Sequence, residues 1–481
     1  MEKKSTELAP YHLFKLRDNN YAFHVQSSAV IRLDDPAFDA LSFFLQDTDK
    51  DNLNNFLISL YDKDVCSSVI SEINVLESRG FFSNPTVFFD TKEEDDYIHE
   101  VVRRPISRIE LFLSETCNLK CKYCFVEENN ALNQGLMPWD IAKKAIDCFF
   151  DQSENETDLS IFFFGGEPLL NTDVLYSAVD YSQSLADKFN KNIDYSLTTN
   201  ATIINDKIIN FLRENNFSLM VSIDGPKDIH DQQRVFVNGC GTFDHVVKNV
   251  KELISYFPSL EVRSTLTRQY LNDRFRVLKF LEKFKFSNIG IAHCLGRIDN
   301  TNYSYNFGPD DLQEMRMKEE VFLHYIVENL NKGRPVRYNP WGAAIIDIHY
   351  HNKCILPCDV GTNSLTVGVD GMLYPCDYYV GMDNYILGDV ISGVNKEKLS
   401  DFLKNYLETK DKCQYCWAAS LCGGYCPARL SKDNGSFGMP NDWWCDDILK
   451  WYEQAIWLFD TLKTEYPHYL KQLIGEECEE T

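Results

Sequence analysis

The sequence predicts an α/β protein with a parallel β-sheet, preceded by a small N-terminal module and followed by a cysteine-rich region. Three observations predict this class. Short apolar runs alternate with amphipathic helical stretches between residues 105 and 310, which is typical of a parallel sheet with helical crossovers. Residues 1–90 show strand-like runs first and helical runs afterwards. Eight cysteines lie close together between residues 354 and 445.

The length of the chain predicts several domains. A chain of 481 residues is too long for one ordinary core and suggests about three domains. We expect the N-terminal module in residues 1–90, the parallel sheet in 105–310 and the cysteine-rich domain in 351–450. A linker helix is predicted in residues 311–350 and a C-terminal helix in 451–481.

Composition excludes some classes of partner. The formal net charge of −24 would repel a nucleic-acid backbone or an anionic membrane surface. No run of the sequence is long and apolar enough to span a bilayer, and Met1–Pro10 contain no apolar signal segment. We therefore expect a cytoplasmic protein with no nucleic-acid and no membrane partner. In the reducing cytosol, the sixteen cysteines are expected to be mostly metal ligands and not disulfides.

The N-terminal module begins with three strand-like runs. Residues 11–16 and 21–25 alternate as strands do around the turn Asp18-Asn19-Asn20, and residues 28–33 form a third candidate strand. Helical patterns follow at 36–45, 53–60 and 65–79. This order predicts a winged-helix-like module. The acidic run at 93–96 is expected to be a solvated linker into the next domain.

Six apolar runs of the central region have the length and composition of buried strands. They are residues 109–113, 160–164, 193–197, 219–223, 260–266 and 289–295. Helical stretches such as 141–150 separate them. Because the loops after parallel strands meet at one end of the sheet, we expect the chemistry at the carboxyl ends of these strands.

Three cysteines follow the first of these strands, at Cys117, Cys121 and Cys124. Soft thiolate ligands favour iron–sulfur clusters, zinc or copper(I). Three ligands for a site that prefers four leave one position open for chemistry. This CxxxCxxC run resembles the cluster motif of the radical S-adenosylmethionine (SAM) enzymes. The resemblance implies a partial (β/α)6 TIM-like barrel, in which the three cysteines hold a [4Fe-4S] cluster that SAM completes.

Further runs at strand ends resemble the SAM-binding motifs of the same family. In the turn Gly165-Gly166-Glu167-Pro168, glycines let the backbone approach a ligand and a carboxylate can pair with an ammonium. The resemblance assigns the amino group of SAM to this turn. It also assigns the ribose and carboxylate of SAM to Ser222 and Arg234, and an arginine suits a carboxylate because its planar fork binds both oxygens. The remaining residues that it places at SAM are Tyr123, Phe125 and Asn200.

The eight C-terminal cysteines are enough for two four-coordinate sites. Their spacing, with a CxxCxxxxxCxxxC run, resembles the SPASM domain, which carries auxiliary [4Fe-4S] clusters in some radical SAM enzymes. The resemblance implies one cluster on Cys354, Cys358, Cys376 and Cys426. It implies a second on Cys413, Cys416, Cys422 and Cys445. Cys354 stands outside the core motif, and zinc is the alternative metal because CxxC pairs suit tetrahedral zinc.

Asp377 directly follows Cys376 and is the candidate catalytic residue. A carboxylate beside a cluster ligand can face a cavity, where desolvation raises its pKa and lets it accept a proton. Sulfatase-maturating enzymes and some thioether-forming relatives have a similar Cys-Asp-aromatic run, with the aspartate proposed as the base. A turn or hydrogen-bonding role is the alternative for Asp377.

These motifs predict an enzyme that oxidises a peptidyl residue without oxygen. Residues 1–90 resemble the precursor-recognition element of enzymes that modify ribosomally made peptides, in which a leader peptide pairs with a sheet edge. We therefore expect a peptide maturase that forms an intramolecular thioether and takes electrons from an external flavodoxin or ferredoxin-like reductant. Alternatives are a carbon–carbon crosslink, formylglycine formation in a sulfatase and a non-enzymatic electron carrier. A structural extension without a ligand is the alternative for residues 1–90.

Overall fold

The computed structural model describes residues 8–85, 91–128, 135–294, 296 and 308–476. Its strands form two sheets. The strands are β1 (Tyr11–Leu16), β2 (Asn19–His24), β3 (Ala29–Leu33), β4 (Arg108–Ser114), β5 (Asp158–Gly165), β6 (Asn192–Thr199), β7 (Ser218–Ser222), β8 (Glu261–Leu266), β9 (Ile289–His293), β10 (Ser364–Val367), β11 (Met372–Tyr374), β12 (Gly388–Asp389) and β13 (Gly393–Val394).

The helices occupy both halves of the chain. They are α1 (Asp35–Phe44), α2 (Lys50–Ile58), α3 (Lys63–Ser78), α4 (Thr91–Val101), α5 (Phe125–Glu128), α6 (Trp139–Gln152), α7 (Thr172–Phe189), α8 (Asp206–Glu214), α9 (Lys227–Gln233), α10 (Phe243–Tyr256), α11 (Arg274–Leu281), α12 (Pro309–Asn331), α13 (Gly342–Tyr350), α14 (Lys396–Leu407), α15 (Ala419–Cys422), α16 (Pro427–Leu430), α17 (Asp442–Glu465) and α18 (Pro467–Ile474). None of the described helices combines the length and the apolarity needed to cross a membrane.

The N-terminal module is a three-stranded antiparallel sheet, β1-β2-β3, followed by α1, α2 and α3. The predicted order of strands and helices is therefore present, while its identity as a winged helix stays a prediction. One face of the sheet packs within the module, through Tyr11, Ala22, Leu41 and Phe81. The other face joins the main core, through Phe14, Tyr21 and Phe23. Both faces are thus covered, and α17 supplies part of the cover for the second face.

The connection after the module differs from the predicted solvated linker. The acidic run at 93–96 lies within α4, and this helix packs against α14 of the C-terminal region. Its Ile98 and Val101 are buried in the main core. Residues three positions apart lie on the same face of a helix, so Ile98 and Val101 give α4 one apolar face. Packing of this face holds the helix, and with it the acidic stretch, against the protein.

The main sheet has ten strands in the order β13-β12-β11-β10-β4-β5-β6-β7-β8-β9. The six predicted strands are β4 to β9, and they are parallel and adjacent in chain order. This confirms the α/β class and the parallel barrel sheet. The sixth strand ends at His293, and residue 295 of the prediction lies outside the described residues.

The C-terminal domain extends the same sheet, which the sequence pattern did not predict. Strand β10 pairs with β4 in parallel, and β11, β12 and β13 continue antiparallel from it. The predicted linker region contains two helices, α12 and α13, in place of one. The predicted C-terminal helix begins earlier, at Asp442, and Tyr466 divides it into α17 and α18. The division falls before Pro467, which cannot continue the preceding helix because it lacks an N–H.

Candidate active site

A cavity of about 1050 Å³ lies at the centre of the parallel sheet. Strands β4 to β8 and the loops after them form most of its wall, and residues of the C-terminal domain close another side. The three cysteines after β4, the two glycines after β5 and the predicted SAM residues Asn200, Ser222 and Arg234 all line it. Motifs that are far apart in the sequence therefore meet in one place, at the carboxyl ends of the strands.

The loop with Cys117, Cys121 and Cys124 is held by backbone pairing. The N–H of Lys120 donates to Val235 O at 2.8 Å, and the N–H of Lys122 donates to Gln233 O at 3.0 Å. Burial, together with the nearby Glu167, Cys121 and Cys124, raises the pKa of Cys117 to about 12. The three sulfurs thus share one buried region, where a thiolate needs a positive partner.

Hydrogen-bond donors surround these sulfurs. Cys117 Sγ accepts from the N–H of Leu119 at 3.4 Å and from Asn200 Nδ2 at 3.8 Å, and Cys121 Sγ accepts from Arg234 Nη1 at 3.9 Å. An all-sulfur ligand set with donors aimed at the sulfurs is the environment of an iron–sulfur cluster. The residues present therefore fit a cluster with three protein ligands.

The glycine turn approaches the cysteine loop more closely than other residues could. A Cβ on Gly165, where φ is +130°, would lie 2.3 Å from Ser114 O, and a Cβ on Gly166 would lie 2.5 Å from Thr116 O. Both contacts would be with backbone, which cannot move aside cheaply. The turn therefore needs glycine at both positions, and it forms a backbone-lined edge of the cavity.

Glu167 follows these glycines and is fully buried. Its carboxylate accepts hydrogen bonds from Thr199 Oγ1 at 2.8 Å, the N–H of Asn200 at 2.8 Å and the N–H of Leu169 at 3.1 Å. Burial raises its pKa to about 7 although these donors lower it. A carboxylate fixed in this way is a suitable partner for an ammonium group, as the resemblance implies. The next residue, Pro168, starts a short 3-10 turn and is buried.

A second buried carboxylate, Asp224, organises the predicted SAM residues Tyr123 and Arg234. Tyr123 Oη donates to Asp224 Oδ2 at 2.6 Å, and Arg234 Nε lies 3.1 Å from the same oxygen. The Arg234 guanidinium also lies over the Tyr123 ring. Gln233 Nε2 and the N–H of Thr265 complete the set of donors to Asp224. Ser222 lies at the end of β7, next to this network.

His230 supports the network from behind. The N–H of Asp224 donates to His230 Nδ1 at 3.3 Å, and His230 Nε2 lies 2.9 Å from Thr242 Oγ1, which donates to Arg234 O at 2.8 Å. This pattern requires a neutral imidazole with its proton on Nε2. Burial lowers the pKa of His230 to about 4, in agreement with that state.

The candidate base Asp377 lines the cavity and belongs to a buried pair with Glu110 of β4. Burial raises the pKa of both carboxyl groups, and Asp377 adds to the rise at Glu110. Thr366 Oγ1 donates to Glu110 Oε2 at 2.6 Å. Two neighbouring carboxyl groups in a low dielectric bind a proton more readily than a single exposed one. Phe125, predicted at SAM, stacks on Tyr378 beside this pair.

The C-terminal cysteines form two groups in space. In the first, the Cys426 sulfur raises the pKa of Cys358 and Cys376, after burial as the larger cause. The second contains Cys413, Cys416, Cys422 and Cys445, which are mutual electrostatic neighbours. Cys354 Sγ instead donates to Asp347 Oδ2 at 3.8 Å, so its place in the first group stays a prediction. Within the described ranges, no three His, Cys, Asp or Glu side chains are arranged around a single metal ion.

Several residues at the site were not singled out from the sequence. They are Glu110, Asp224, Arg263, His293, Lys410 and Arg429. A signal existed for two of them: Glu110 interrupts an apolar strand, and Arg263 belongs to the alternating polar run Glu261, Arg263 and Thr265 of β8. Alternation in a strand that is otherwise buried indicates a polar interior face. Lys410 is buried beside the second cysteine group, and burial lowers its pKa to about 8.

Comparisons with known proteins identify two domains in this chain. The model of the radical SAM superfamily matches residues 111–281, and that of the SPASM iron–sulfur cluster-binding domain matches residues 358–417. A cysteine-type anaerobic sulfatase-maturating enzyme of Clostridium novyi (strain NT) is 28% identical over 359 residues, which are 71% of this chain and 93% of that protein. A structure of anSMEcpe with bound AdoMet and Cp18Cys peptide has a TM-score of 0.63 at 25% identity and covers 74% of this chain and 98% of its own. Streptococcus suis SuiB bound to precursor peptide SuiA has a TM-score of 0.52 at 14% identity, covers 91% of this chain and 99% of its own, and shares the fold.

The fold and the cysteine groups define an iron–sulfur enzyme built on a parallel α/β sheet. The chain belongs to the radical SAM superfamily and carries a SPASM domain. The predicted cofactor classes are thereby confirmed: an iron–sulfur cluster with SAM in the barrel, and auxiliary iron–sulfur clusters in the C-terminal domain. The alternatives of structural zinc and of a non-enzymatic electron carrier are not supported.

Proposed function

We propose that this enzyme modifies a ribosomally made precursor peptide and links a cysteine sulfur to a carbon of another residue. The observation that carries the proposal is the N-terminal module. Its sheet has both faces buried, and in the described residues β3 pairs with β2 alone. An extended peptide can therefore join this sheet only along an edge, which is a general mode of peptide recognition. SuiB, which was solved with a precursor peptide, matches this chain over nearly its whole length.

The chain's own residues supply binding and proton transfer. Ser222 and Arg234, which line the cavity, would hold SAM together with Glu167, which is buried directly behind the glycine turn. The cysteines 117, 121 and 124 would hold the first cluster. When bound, these groups would supply the abstraction of a hydrogen atom from a substrate carbon, and an auxiliary cluster would supply an acceptor for the second electron. The remaining thiol proton has to leave as well. Asp377 is the candidate acceptor because it lines the cavity, and burial raises the pKa of its carboxyl group.

The proposal includes two further assignments. Residues 1–90 would bind the leader of the precursor, and a flavodoxin or ferredoxin-like protein would deliver single electrons. Such a reaction needs reduced clusters, which fits the reducing cytoplasm. The cluster ligand sets given above, including Cys354 on the first auxiliary cluster, belong to the same proposal.

Mass spectrometry of a co-expressed precursor tests the function. We expect a small peptide encoded near this gene to lose two hydrogen atoms and one reactive thiol in the presence of the enzyme, but not with a Cys117→Ala variant. A carbon–carbon link would remove the hydrogens and leave the thiol free for alkylation. An unchanged precursor in the presence of reduced, SAM-cleaving enzyme would contradict the proposal.

Edge pairing by β3 is tested separately. Successive N–H groups of an edge strand point alternately toward the neighbouring strand and away from it. Of the variants Val30→Pro and Ile31→Pro, one therefore removes an N–H that points away from β2 and leaves the hydrogen bonds between β2 and β3 intact. The variant that retains the wild-type melting temperature should lose binding of the leader while still cleaving SAM. Unchanged leader binding in that variant would exclude the edge of β3 as the docking site.

A second candidate function is formylglycine formation in a sulfatase. It is favoured by the Cys376-Asp377 run and by the similarity to cysteine-type sulfatase-maturating enzymes. A synthetic peptide copied from the cysteine-containing maturation site of a sulfatase provides the test. An aldehyde product from this peptide, with no change in any leader-bearing precursor, would replace the first proposal by the second.

A further inference from the structure

Besides Arg108 and the predicted SAM residue Arg234, two further arginines line the cavity. Arg263 projects from β8, and Arg429 lies in α16 of the C-terminal domain. Arg263 is the direct neighbour of Ser222 in the register between β7 and β8. Adjacent strands are about 4.8 Å apart. The backbone of Arg263 therefore lies beside the predicted ribose contact of SAM, while its side chain passes over Gly290 of β9, where an added Cβ would be 3.3 Å from Arg263 Nη1.

Neither arginine has an acidic partner among the residues that the structure describes. Two other arginines of this region, which are buried, do have one: Arg234 pairs with Asp224, and Arg274 pairs with Glu319. Arg429 shares a hydrogen bond with the Tyr425 side chain. Glu261 lies on the same strand as Arg263, but its carboxylate is directed to Asn288, at 3.4 Å.

Arg263, Arg429 and His293 lie close enough to influence one another, and they line the cavity together with Glu261. Burial lowers the pKa of Arg263, and the charge of Arg429 lowers it further. Burial also lowers the pKa of His293, with contributions from Arg274, Arg429 and Arg263, so its imidazole is neutral. Two like charges in a desolvated site repel each other unless an anion lies between them. This local charge is opposite in sign to the −24 of the whole chain.

We propose that Arg263 and Arg429 together bind a carboxylate of the substrate and thereby fix the residue to be modified next to SAM. The carboxylate comes from an acidic side chain near the modified residue or from the C-terminus of the peptide. Planar guanidinium groups bind both oxygens of a carboxylate, and such charged hydrogen bonds are stronger than hydrogen bonds between neutral groups. The inference rests on the proposed function for the substrate being a peptide. It adds that the peptide is acidic at the reaction site.

The test measures binding of short peptides to the full-length, cluster-loaded protein with SAM present. The probes are acetyl-Gly-Cys-Glu-Gly-amide, the same peptide with Gln in place of Glu, and acetyl-Gly-Cys-Gly-Gly with a free C-terminus. A charged hydrogen bond contributes about 1.5–3 kcal/mol, so an acid peptide should bind roughly 10- to 100-fold more tightly than the Gln peptide. Whichever acid peptide shows this preference identifies the source of the carboxylate.

Variants connect the preference to the two arginines. Arg263→Gln and Arg429→Gln should each abolish it, and Arg263→Lys should keep part of it because the charge remains without the fork. Arg276→Gln is the matched control, since Arg276 is exposed and pairs with Asp228 and Asp273 outside the cavity. It should bind all three peptides as the wild type does.

Several results would overturn the inference. The first is equal binding of the acid and Gln peptides to the wild type. The second is the absence of binding by all three peptides. If Arg263→Gln weakened SAM binding by the same factor, the arginines would serve SAM and not the substrate. Lower melting temperatures for both Gln variants would show that each arginine already has an anionic partner. Precursor modification is read separately by mass spectrometry, so an acid preference without modification would contradict only the proposed function.

Discussion

Replacing Glu167 by glutamine tests the SAM site most directly. The substitution keeps the shape of a fully buried side chain and removes its negative charge. One of the oxygens that now accept from Thr199, Asn200 and Leu169 becomes an NH2 group, which faces a donor. Loss of one partner from a buried, hydrogen-bonded charge pair costs about 2–5 kcal/mol. The Kd for SAM should therefore rise at least about 30-fold.

The raised pKa of Glu167 adds a dependence on pH. Burial sets this pKa at about 7 in the protein without SAM, and an ammonium group binds the ionised form. The ionised fraction falls from about 0.76 at pH 7.5 to about 0.09 at pH 6.0 for a pKa of 7. The Kd of the wild-type enzyme should thus be roughly eightfold higher at pH 6.0 than at pH 7.5. Glu167→Gln has no such group to titrate, so its Kd should change little.

Equilibrium dialysis of labelled SAM against anaerobic, cluster-loaded protein measures both effects. Glu261→Gln is the matched control, because it removes a carboxylate from the same cavity at a place away from the glycine turn. Its Kd should equal that of the wild type. A Glu167→Gln variant that binds SAM within about threefold of the wild type would refute the assignment of the ammonium group to Glu167. A wild-type Kd that does not change between pH 6.0 and 7.5 would refute the raised pKa.

Three further predictions follow from other parts of the site. His230 should contribute a loss of about 2 kcal/mol of native-state stability between pH 7 and pH 5, because the unfolded chain protonates it near pH 6.5 and the folded one only near pH 4. The stability measured by urea unfolding should therefore change more unfavourably for the wild type than for His230→Phe over this range, and equal changes would contradict the neutral imidazole. Gly165→Ala should lower the iron content of the protein, since a Cβ would meet Ser114 O and the positive φ alone costs about 1–3 kcal/mol. A Gly165→Ala variant with the iron content and SAM cleavage of the wild type would contradict the need for glycine in this turn. Asp377→Asn should still cleave SAM but yield no crosslinked peptide, and normal product formation would remove Asp377 as the base.

The alternation of strands and helices was sufficient to predict the parallel sheet. Strands β4 to β9 are adjacent in chain order, because each right-handed crossover places the next strand beside the last. The pairing of β10 with β4 was not predictable in the same way. Strand β10 has four residues, and its partner lies more than 250 positions earlier, so no local pattern records the contact. The docking of the N-terminal sheet on α17 has the same origin.

The site also combines features that the sequence predicts with features that depend on the tertiary structure. The spacing of Cys117, Cys121 and Cys124 and the glycine turn indicated cluster and SAM binding, because ligand type and short spacing are local properties. The pairing of Asp377 with Glu110 depends on the position of the C-terminal domain against β4. The sequence also did not indicate that Asp224 is part of the site, because its role depends on hydrogen-bond donors from three separate segments.

By itself the sequence determined the class of this protein and of its cofactors, and it predicted the sulfur ligands and the backbone turns that these cofactors require. These features reside in a few consecutive residues each, where geometry follows from residue type and spacing. The tertiary structure alone decided which charges face the cavity. Arg263 comes from a barrel strand and Arg429 from the C-terminal domain, and they meet only because strand register and domain packing bring them there. The proposed preference for an acidic substrate is therefore a property of the folded chain and not of any motif in it.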